Sequence, residues 1–516
     1  MAEIPKNPNA KNRDLLHVFI AVVIGLIFGL ILEPANGITQ EGLTVLAIFI
    51  PTLYLWITVA PTTWVSILFL AAFAMTGIRT PGQLWSQSVG HFTFTLVMVF
   101  MMFDNCLRTT GATKYLSDWF ITRKFTQGRP FLFLTMFFAS NLVIGLFVQN
   151  VALAVVFVAL TAKLCASIGV NRGDRLYTMM FVGIVWGNAV NHIASPIAKS
   201  IPNIIIGLVN NNLDANISYA QWIMVGFPFM FAMLIVTMVA CRIFLRAKDV
   251  ELLKNFNITK FKEEKMEPLS NRGKIALVAL LGIFLIIMIP ETMHVMGLDN
   301  VVTEFIIRMT ITVWAIVMVV ILCLIRVKDS KTGEVMPVLD FGAAMKDVEV
   351  GVLLFIACVI FIGGPLGAQS AGIVDWMGNI FNPIAEALPV VGTFILLAAI
   401  ALILTQIMAS TVVATIMFWM GVAIFTVGTT VIGQTEAGAD ITRFITGNYS
   451  LVWVMIGAFA SCIGIYMPAS TATTALYYGP HIQVNDTWKI NIIFIGLTLI
   501  AVVAMIPLAM AVFGAR

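Results

Sequence analysis

Long apolar runs separated by short polar turns dominate this chain. Runs at 15–32, 43–60, 92–107, 223–245, 275–289 and 306–325 are transmembrane-helix candidates, judged against a hydrocarbon core about 30 Å thick. Two shorter runs, 179–191 and 451–465, end at polar turns and predict half-helices. The departures from the pattern carry more information. The apolar stretch 130–166 holds the polar pair Gln149-Asn150 in its middle and is followed by Ser195-Pro196-Ile197-Ala198-Lys199-Ser200-Ile201-Pro202-Asn203. The second half repeats the layout, with Ala409-Ser410-Thr411 between two apolar arms and then Tyr466-Met467-Pro468-Ala469-Ser470-Thr471-Ala472-Thr473-Thr474. In lipid, polar side chains and helix-breaking prolines at mid-depth are tolerated only where they line a cavity or touch other protein. Broken helices at corresponding places in two halves point to the binding site of a secondary transporter.

Composition sharpens this. Of 516 residues, 60% are hydrophobic and 11% charged, with mean hydropathy +0.97, which excludes the soluble globular classes. The fold class is an all-α polytopic membrane protein. The net charge of +4 does not imply a nucleic-acid partner, because the basic residues sit in loops between apolar segments, where they set orientation. The first apolar run follows a polar stretch with Lys6, Lys11 and Arg13 and lacks a small-residue cleavage site, so it reads as a retained helix. Six cysteines stand singly inside apolar segments, with no disulfide or metal spacing. No cofactor is expected beyond possible coupling ions.

Lys and Arg cluster in the amino-terminal tail, in 123–129, at Arg172 and Arg175, across 246–274 and in 326–346, which marks these stretches as cytoplasmic. The other loops are poor in basic residues and carry Asp214, Glu291, Asp299, Asp375, Glu386, Glu436 and Asp440. The stretch between Arg129 and Arg172 then begins and ends inside, as a hairpin entering from the cytoplasm. Its counterpart at about 388–432 lies between acidic loops and enters from outside. Like segments of opposite polarity are what an inverted-topology repeat predicts. The expected organisation is a tail and first helix (1–40), a first repeat (41–246) with its hairpin at about 130–168 and broken helix at about 176–208, and a cytosolic linker (247–274). A second repeat (275–516) follows, with its hairpin at about 388–432 and broken helix at about 450–479. About eleven crossings plus two hairpins put the amino terminus in the cytoplasm and Arg516 outside, in a bacterial inner membrane.

These motifs resemble the divalent anion/sodium symporter family, which includes dicarboxylate and citrate carriers. That family has Ser-Asn-Thr at each hairpin tip and a Thr-Pro-Ile-Gly-Thr-Pro-Pro-Asn-like break. Here the first tip reads Phe147-Val148-Gln149-Asn150-Val151-Ala152 and the second Thr405-Gln406-Ile407-Met408-Ala409-Ser410-Thr411. The first tip keeps its asparagine and lacks both hydroxyls, the second keeps hydroxyls and lacks the asparagine, and Lys199 has no counterpart. A register through Ser140-Asn141 lies within the first arm, not at its tip. The resemblance implies a carrier of di- or tricarboxylates, sodium-coupled or exchanging anions, moving its hairpin domain elevator-fashion against a homodimeric scaffold. It implies substrate contacts at Gln149, Asn150, Val151, Ser195, Pro196, Lys199, Ser200, Ser410, Thr411, Pro468, Ser470 and Thr471. One sodium is implied at Asn150 and the Ala198 carbonyl, and a second at Thr405, Ala409 and the Ala469 carbonyl.

The chemistry fits independently. A carboxylate leaving water must recover strong donors, and side-chain amides, hydroxyls and the exposed amides of broken helices supply them. Lys199 admits three readings: its ammonium replaces a bound cation in a sodium-independent exchanger, pairs with substrate, or snorkels to the interface. His192, near Asn188 and Asn191, reads as hydrogen-bonded structure or as a proton-coupling group. Asp104 and Arg108, four apart, read as an intrahelical pair. A cation/proton antiporter needs a mid-membrane carboxylate, which neither tips nor breaks contain, and a sulfate or sulfonate carrier would use the same oxyanion chemistry. A channel needs no such paired breaks. No metal-type or Ser-His-Asp arrangement supports an enzyme, and the five histidines are far apart.

Overall fold

A computed structural model describes residues 10–59, 62–197, 199–258, 268–328, 333–434, 440–447, 449–466, 473–478 and 480–514. The chain opens with α1 (Ala10–Leu26), extended by a π-helical turn at Ile27–Ile31. The first repeat contains α2 (Gln40–Thr58), α3 (Thr62–Thr76), α4 (Pro81–Gln87), α5 (Phe92–Thr109) and α6 (Ala112–Ile121). It continues through the hairpin α7 (Pro130–Gly145) and α8 (Asn150–Ile168), the broken helix α9 (Arg175–Ala194) and α10 (Ser200–Asn212), and α11 (Tyr219–Phe244). After α12 (Ala247–Asn255), the second repeat contains α13 (Asn271–Val295), α14 (Val301–Leu324), the strands β1 (Arg326–Lys328) and β2 (Val335–Pro337), and α15 (Phe341–Lys346). Then come α16 (Val350–Gly367), α17 (Ile373–Glu386), and the hairpin α18 (Val390–Leu404) and α19 (Ser410–Phe425). The strands β3 (Thr426–Gln434) and β4 (Asp440–Thr446) follow, then α20 (Ser450–Ser461), α21 (Thr474–Tyr477), α22 (Val484–Ala504) and α23 (Ile506–Phe513).

Local chemistry sets these boundaries. Pro130 opens α7 at a position where its missing donor costs nothing, and Gly169, at φ 85°, ends α8 in the left-handed conformation that glycine adopts without strain. The β-branched run after Phe425 leaves the helix and pairs as the antiparallel β3–β4 hairpin. That hairpin reaches back to the end of α10, where the Asp214 amide donates to the Phe444 carbonyl at 2.9 Å.

The packing scheme is reciprocal. The helix α3 packs on α16 while α5 packs on α14, and α8 meets α21 while α10 meets α19. Exchanging the halves maps these contacts onto one another, with α5–α16 and α11–α22 as the self-matched pairs. Among the described residues nine helices are long and apolar enough to cross a membrane by themselves. Counting the shorter α3 and the broken pairs α9–α10 and α20–α21 as passages, and α8 as a hairpin arm, gives eleven: α1, α2, α3, α5, α9–α10, α11, α13, α14, α16, α20–α21 and α22. Matching helices are an odd number of passages apart, so the two repeats are inverted. The outward faces are apolar, as at Leu30, Val278 and Val301, which suits contact with lipid acyl chains and not with water. The short helices α6 and α17 precede the two hairpins and bury one face each, Ala112, Thr113, Ser117, Asp118 and Ile121 in α6 and Ile373, Val374 and Gly378 in α17.

The interior is held by tryptophans against glycines. Trp453 is buried against Gly421, and its indole donates to the Met417 carbonyl at 2.8 Å. A Cβ on Gly421 would fall inside the Trp453 ring. Gly421→Val is therefore expected to overpack the α19–α20 contact at a cost of about 1–3 kcal/mol or more. It should read as a lower unfolding temperature of the purified protein in detergent, and an unchanged temperature would contradict the packing described.

Candidate functional site

At the first tip, α7 unwinds through Leu146–Val148, with the Leu146 amide bonded to the Val143 carbonyl at 3.3 Å and the Val148 amide to the Ile144 carbonyl at 3.2 Å. Gln149 is the N-cap of α8, and Asn150 begins that helix, buried at the tip. Across from it, α9 stops at Ala194 because Ser195 and Pro196 end its hydrogen bonding, and the Ser195 hydroxyl oxygen accepts from the Ile197 amide at 3.2 Å. The chain then turns into α10 with Lys199 as N-cap. Pro202 falls in the first turn of α10, where no donor is required.

Lys199 is only 2% exposed. Its ammonium donates to the Val148 carbonyl at 2.7 Å and to Asn150 Oδ1. The Asn150 amide in turn donates to the Asn188 carbonyl at 3.0 Å. Snorkelling is thus excluded: the side chain turns inward onto the tip, since its charge finds two oxygen acceptors there. The backbone of the break is fixed from below by Asn203, whose Nδ2 donates to the carbonyls of Pro196 and Lys199, both at 2.5 Å, and whose Oδ1 accepts from the Tyr219 hydroxyl at 2.6 Å.

A ladder of amides joins this hairpin to α9. Asn141 donates to Asn188 Oδ1 at 3.3 Å, and Asn191 donates to the Asn141 carbonyl at 3.0 Å. Asn141 thus lies inside the first arm and faces α9. Asn188 also donates to the Tyr477 hydroxyl at 2.7 Å, which ties the first half to the break of the second. His192 is half-buried nearby, and its buried Nδ1 has no hydrogen-bond partner among the described residues.

The second tip repeats the backbone turn, with the Gln406, Ile407 and Met408 amides bonded back to Ile403 and Leu404. Its polar fittings differ. The Thr405 hydroxyl donates to the Ser461 carbonyl at 2.6 Å and lies 3.0 Å from the Ser410 hydroxyl. Ala409 is the N-cap of α19, and Thr411 follows in its first turn, half-buried. Gln406, which carries no role in the sequence reading, clamps the second break: its Nε2 donates to the Ile463 carbonyl at 2.6 Å, while Oε1 accepts from the Ile465 and Tyr466 amides at 3.1 Å each. The signal was a polar residue at a tip, but its partner strand of backbone is remote in sequence.

The candidate residues thus divide. Asn150 and Lys199 are joined directly, with Gln149 and Val151 beside them, and Ser195, Pro196 and Ser200 belong to the same break. Thr405 and Ser410 form a second cluster with Ala409 and Thr411 at the other tip. Ala198, Pro468, Ala469, Ser470 and Thr471 lie outside the described residues. Each tip abuts the first helix of the other half: Phe147 meets Phe284 of α13 edge-on at 5.4 Å, and Ile407, Met408 and Ala409 share a cleft with Leu53, Trp56 and Ile57 of α2. That cleft holds only about 20 Å³, too little for a dicarboxylate.

Asp104 and Arg108 do not pair within their helix. Arg108 and Asn105 both bind Asp347, the latter at 2.6 Å, because Asp347 follows α15 where it packs on α5. Asp104 instead turns inward at 8% exposure. Its Oδ1 has no hydrogen-bond partner among the described residues. A buried carboxylate on a neighbouring helix therefore faces the interior, although tips and breaks contain none themselves.

For a hard cation, the oxygens at the first tip, Val148 O and Asn150 Oδ1, are already held by an ammonium, whereas the second tip offers Thr405, Ser410 and the Ser461 carbonyl without a cationic side chain. Among the described residues no cluster of three or more His, Cys, Asp or Glu side chains is placed to hold a metal. Gln406→Leu keeps the volume but strands two amides and a carbonyl of the second break, a loss of about 1–3 kcal/mol. The expected readouts are a lower unfolding temperature and weakened ligand binding. If both stayed at wild-type values, the clamp would have no energetic role.

A family model described as CitMHS, citrate transporter, matches residues 45–437. Among solved structures, the crystal structure of the Alcanivorax borkumensis YdaH transporter, whose title reports an unusual topology, is similar over 97% of this chain and 98% of its own, with a TM-score of 0.50 and 11% identity. At that identity the likeness concerns the fold. No curated protein matches the chain.

Proposed function

The chain belongs to the citrate transporter family, and from this premise we propose that it is a secondary carrier of citrate-class di- and tricarboxylate anions in which the Lys199 ammonium occupies the place of one coupling cation. The observation that carries this reading is the pair of bonds from buried Lys199 to Val148 O and Asn150 Oδ1. These are the kinds of oxygen that would otherwise ligate sodium at the first tip. A fixed positive charge there serves the substrate continuously and removes the need for that ion. The carrier then works as an anion exchanger, or with at most one sodium at the second tip, around Thr405 and Ala409. Substrate oxygens are taken by the amides at the starts of α8 and α19, by Gln149, Ser200, Ser410 and Thr411, and by the remaining donor of Lys199.

The proposal extends to an elevator-type movement of the two hairpins and broken helices against the other helices, a homodimer, and a bacterial inner-membrane location with the amino terminus cytoplasmic. These rest on the family resemblance, on the loop charges and on the way each tip abuts the opposite half. Sulfate and sulfonates present the same oxyanion chemistry and are the next substrates to try. The cation/proton antiporter gains support from one observation only, the buried Asp104 carboxylate on α5.

In liposomes of purified protein, labelled citrate or succinate should enter against internal unlabelled anion in the absence of sodium. Uptake that requires a sodium gradient would overturn the ammonium-for-cation reading. Lys199→Ala should lower exchange tenfold or more, the loss of one charged hydrogen bond, or make uptake sodium-dependent. Wild-type rates in that variant would refute the role given to Lys199.

A further inference from the structure

Irregular backbone is not confined to the two tips and breaks. The helix α14 is interrupted at Thr310, which stands at φ 58° and ψ 160°, an unfavourable conformation for a β-branched residue. The indole of Trp314 spans the interruption and donates to the Ile306 carbonyl at 3.1 Å. At membrane depth such backbone persists where it is packed in protein or lines a cavity, and a cavity of about 340 Å³ lies there. Ile306, Ile307 and Thr310 line it from α14, Ile287 and Glu291 from α13, and Tyr219 from α11.

The charges around this cavity are few. The Glu291 Oε2 accepts from the Ala220 amide at 2.7 Å, and a carboxylate has acceptor sites beyond that one bond. No Lys or Arg lines the cavity, and His294, which does, has its Nδ1 bonded to Asp299 at 2.8 Å. Beside Ile307 on α14, Arg308 is exposed, and its guanidinium pairs with no carboxylate among the described residues. A guanidinium inside a transmembrane segment is unfavourable without an anionic partner, and a carboxylate in an apolar cavity is unfavourable without a cationic one.

The two charges stand at different depths. Glu291 is four residues from the end of α13 and Arg308 seven from the start of α14, or about 6 Å and 10 Å at the rise of an α-helix, counted from the face that the loop charges assign to the outside. Deeper still, α14 exposes Val313, Ile316 and Val317. From outside inward the order is carboxylate, guanidinium, hydrocarbon surface. A phospholipid of that leaflet presents amine, phosphate and acyl chain in the same order, with each charge opposite.

We propose that the cavity and the adjoining face of α14 bind an outer-leaflet phospholipid whose headgroup ends in a primary amine, of the phosphatidylethanolamine type, with the amine on Glu291, the phosphate on Arg308 and an acyl chain along α14. Arginine takes a phosphate through two parallel N–H bonds, and a primary ammonium has three donors to give. A choline headgroup has no such donor and a glycerol headgroup no positive charge, so either satisfies Arg308 alone. The lipid then rests against Tyr219, whose hydroxyl holds Asn203 and, through it, the backbone of the first break. The site does not depend on which anion is carried.

The test adds phosphatidylethanolamine, phosphatidylcholine or phosphatidylglycerol of matched acyl chains to delipidated full-length protein in detergent, and follows both the unfolding temperature and the lipid bound. The ethanolamine lipid should raise the unfolding temperature of wild type by several degrees more than the other two. Arg308→Gln, at an exposed position, should bind it about tenfold less, the loss of one charged hydrogen bond, and Ile307→Trp, which fills the cavity, should bind it no better. Equal effects of the three lipids would overturn the site and leave general solvation by lipid. A stronger effect of the glycerol lipid would overturn the role of Glu291, and so would undiminished ethanolamine-lipid binding by Glu291→Gln. Because Glu291 also holds the start of α11, that variant is read by lipid bound per folded protein. Full preference for the ethanolamine lipid in Arg308→Gln would by itself refute the proposal, whatever the other variants do.

Discussion

One buried ammonium organises the centre of this molecule. Removing a lysine head from water is unfavourable by several kcal/mol even after relaxation, so the surroundings must supply acceptors and a counter-charge. Two unwound pieces of chain do so. The first hairpin stops its α7 arm at Leu146 and offers the Val148 carbonyl, and the first broken helix stops at Ala194 and delivers Lys199 to it. Without the ammonium, the Val148 carbonyl and Asn150 Oδ1 would lose the donor that Lys199 brings them. Without the broken backbone, the lysine could not reach the tip.

The second half faces the same geometric problem and resolves it without charge. Gln406 has both a donor and an acceptor, so its side chain stands in for a missing peptide group and pairs with the exposed backbone of 463–466 as a neighbouring strand would. Thr405 and Ser410 complete that tip with hydroxyls. The repeats are thus symmetric in path and asymmetric in electrostatics. Between them the space is bordered by an ammonium on one side and by neutral dipoles on the other.

Much of this was readable from the chain, and what was not has a physical reason. Interruptions of the apolar pattern mark where polarity enters the membrane, because lipid forbids it elsewhere, and Asn150, Lys199 and Ser410 stand at such interruptions. Their partners were not readable. Spacing alone put Asp104 with Arg108, and only the placement of Asp347 beside α5 shows that the arginine is engaged elsewhere and the carboxylate is turned inward. Three readings of Lys199 were open because side-chain direction depends on where a carbonyl 51 residues away lies. The contacts by which Gln406 clamps the second break are equally remote, lying 57 to 60 residues on. The β3–β4 hairpin escaped because a β-branched apolar run looks like a helix arm until its pairing partner is known.

The bonds around Lys199 extend further than the tip. From the Tyr219 hydroxyl they run through Asn203 to the Lys199 backbone, from the ammonium to Asn150, on to the Asn188 backbone, and from the Asn188 side chain to Tyr477 in the other half. Each link fixes the orientation of the next, since a buried amide that donates to one neighbour has its acceptor aimed at another. Residues arranged so behave as a single unit: once one member is lost, the loss of a second changes little. Substitutions along this line should therefore not be ranked by importance, because the measured effect of any one of them is largely the effect of breaking the whole.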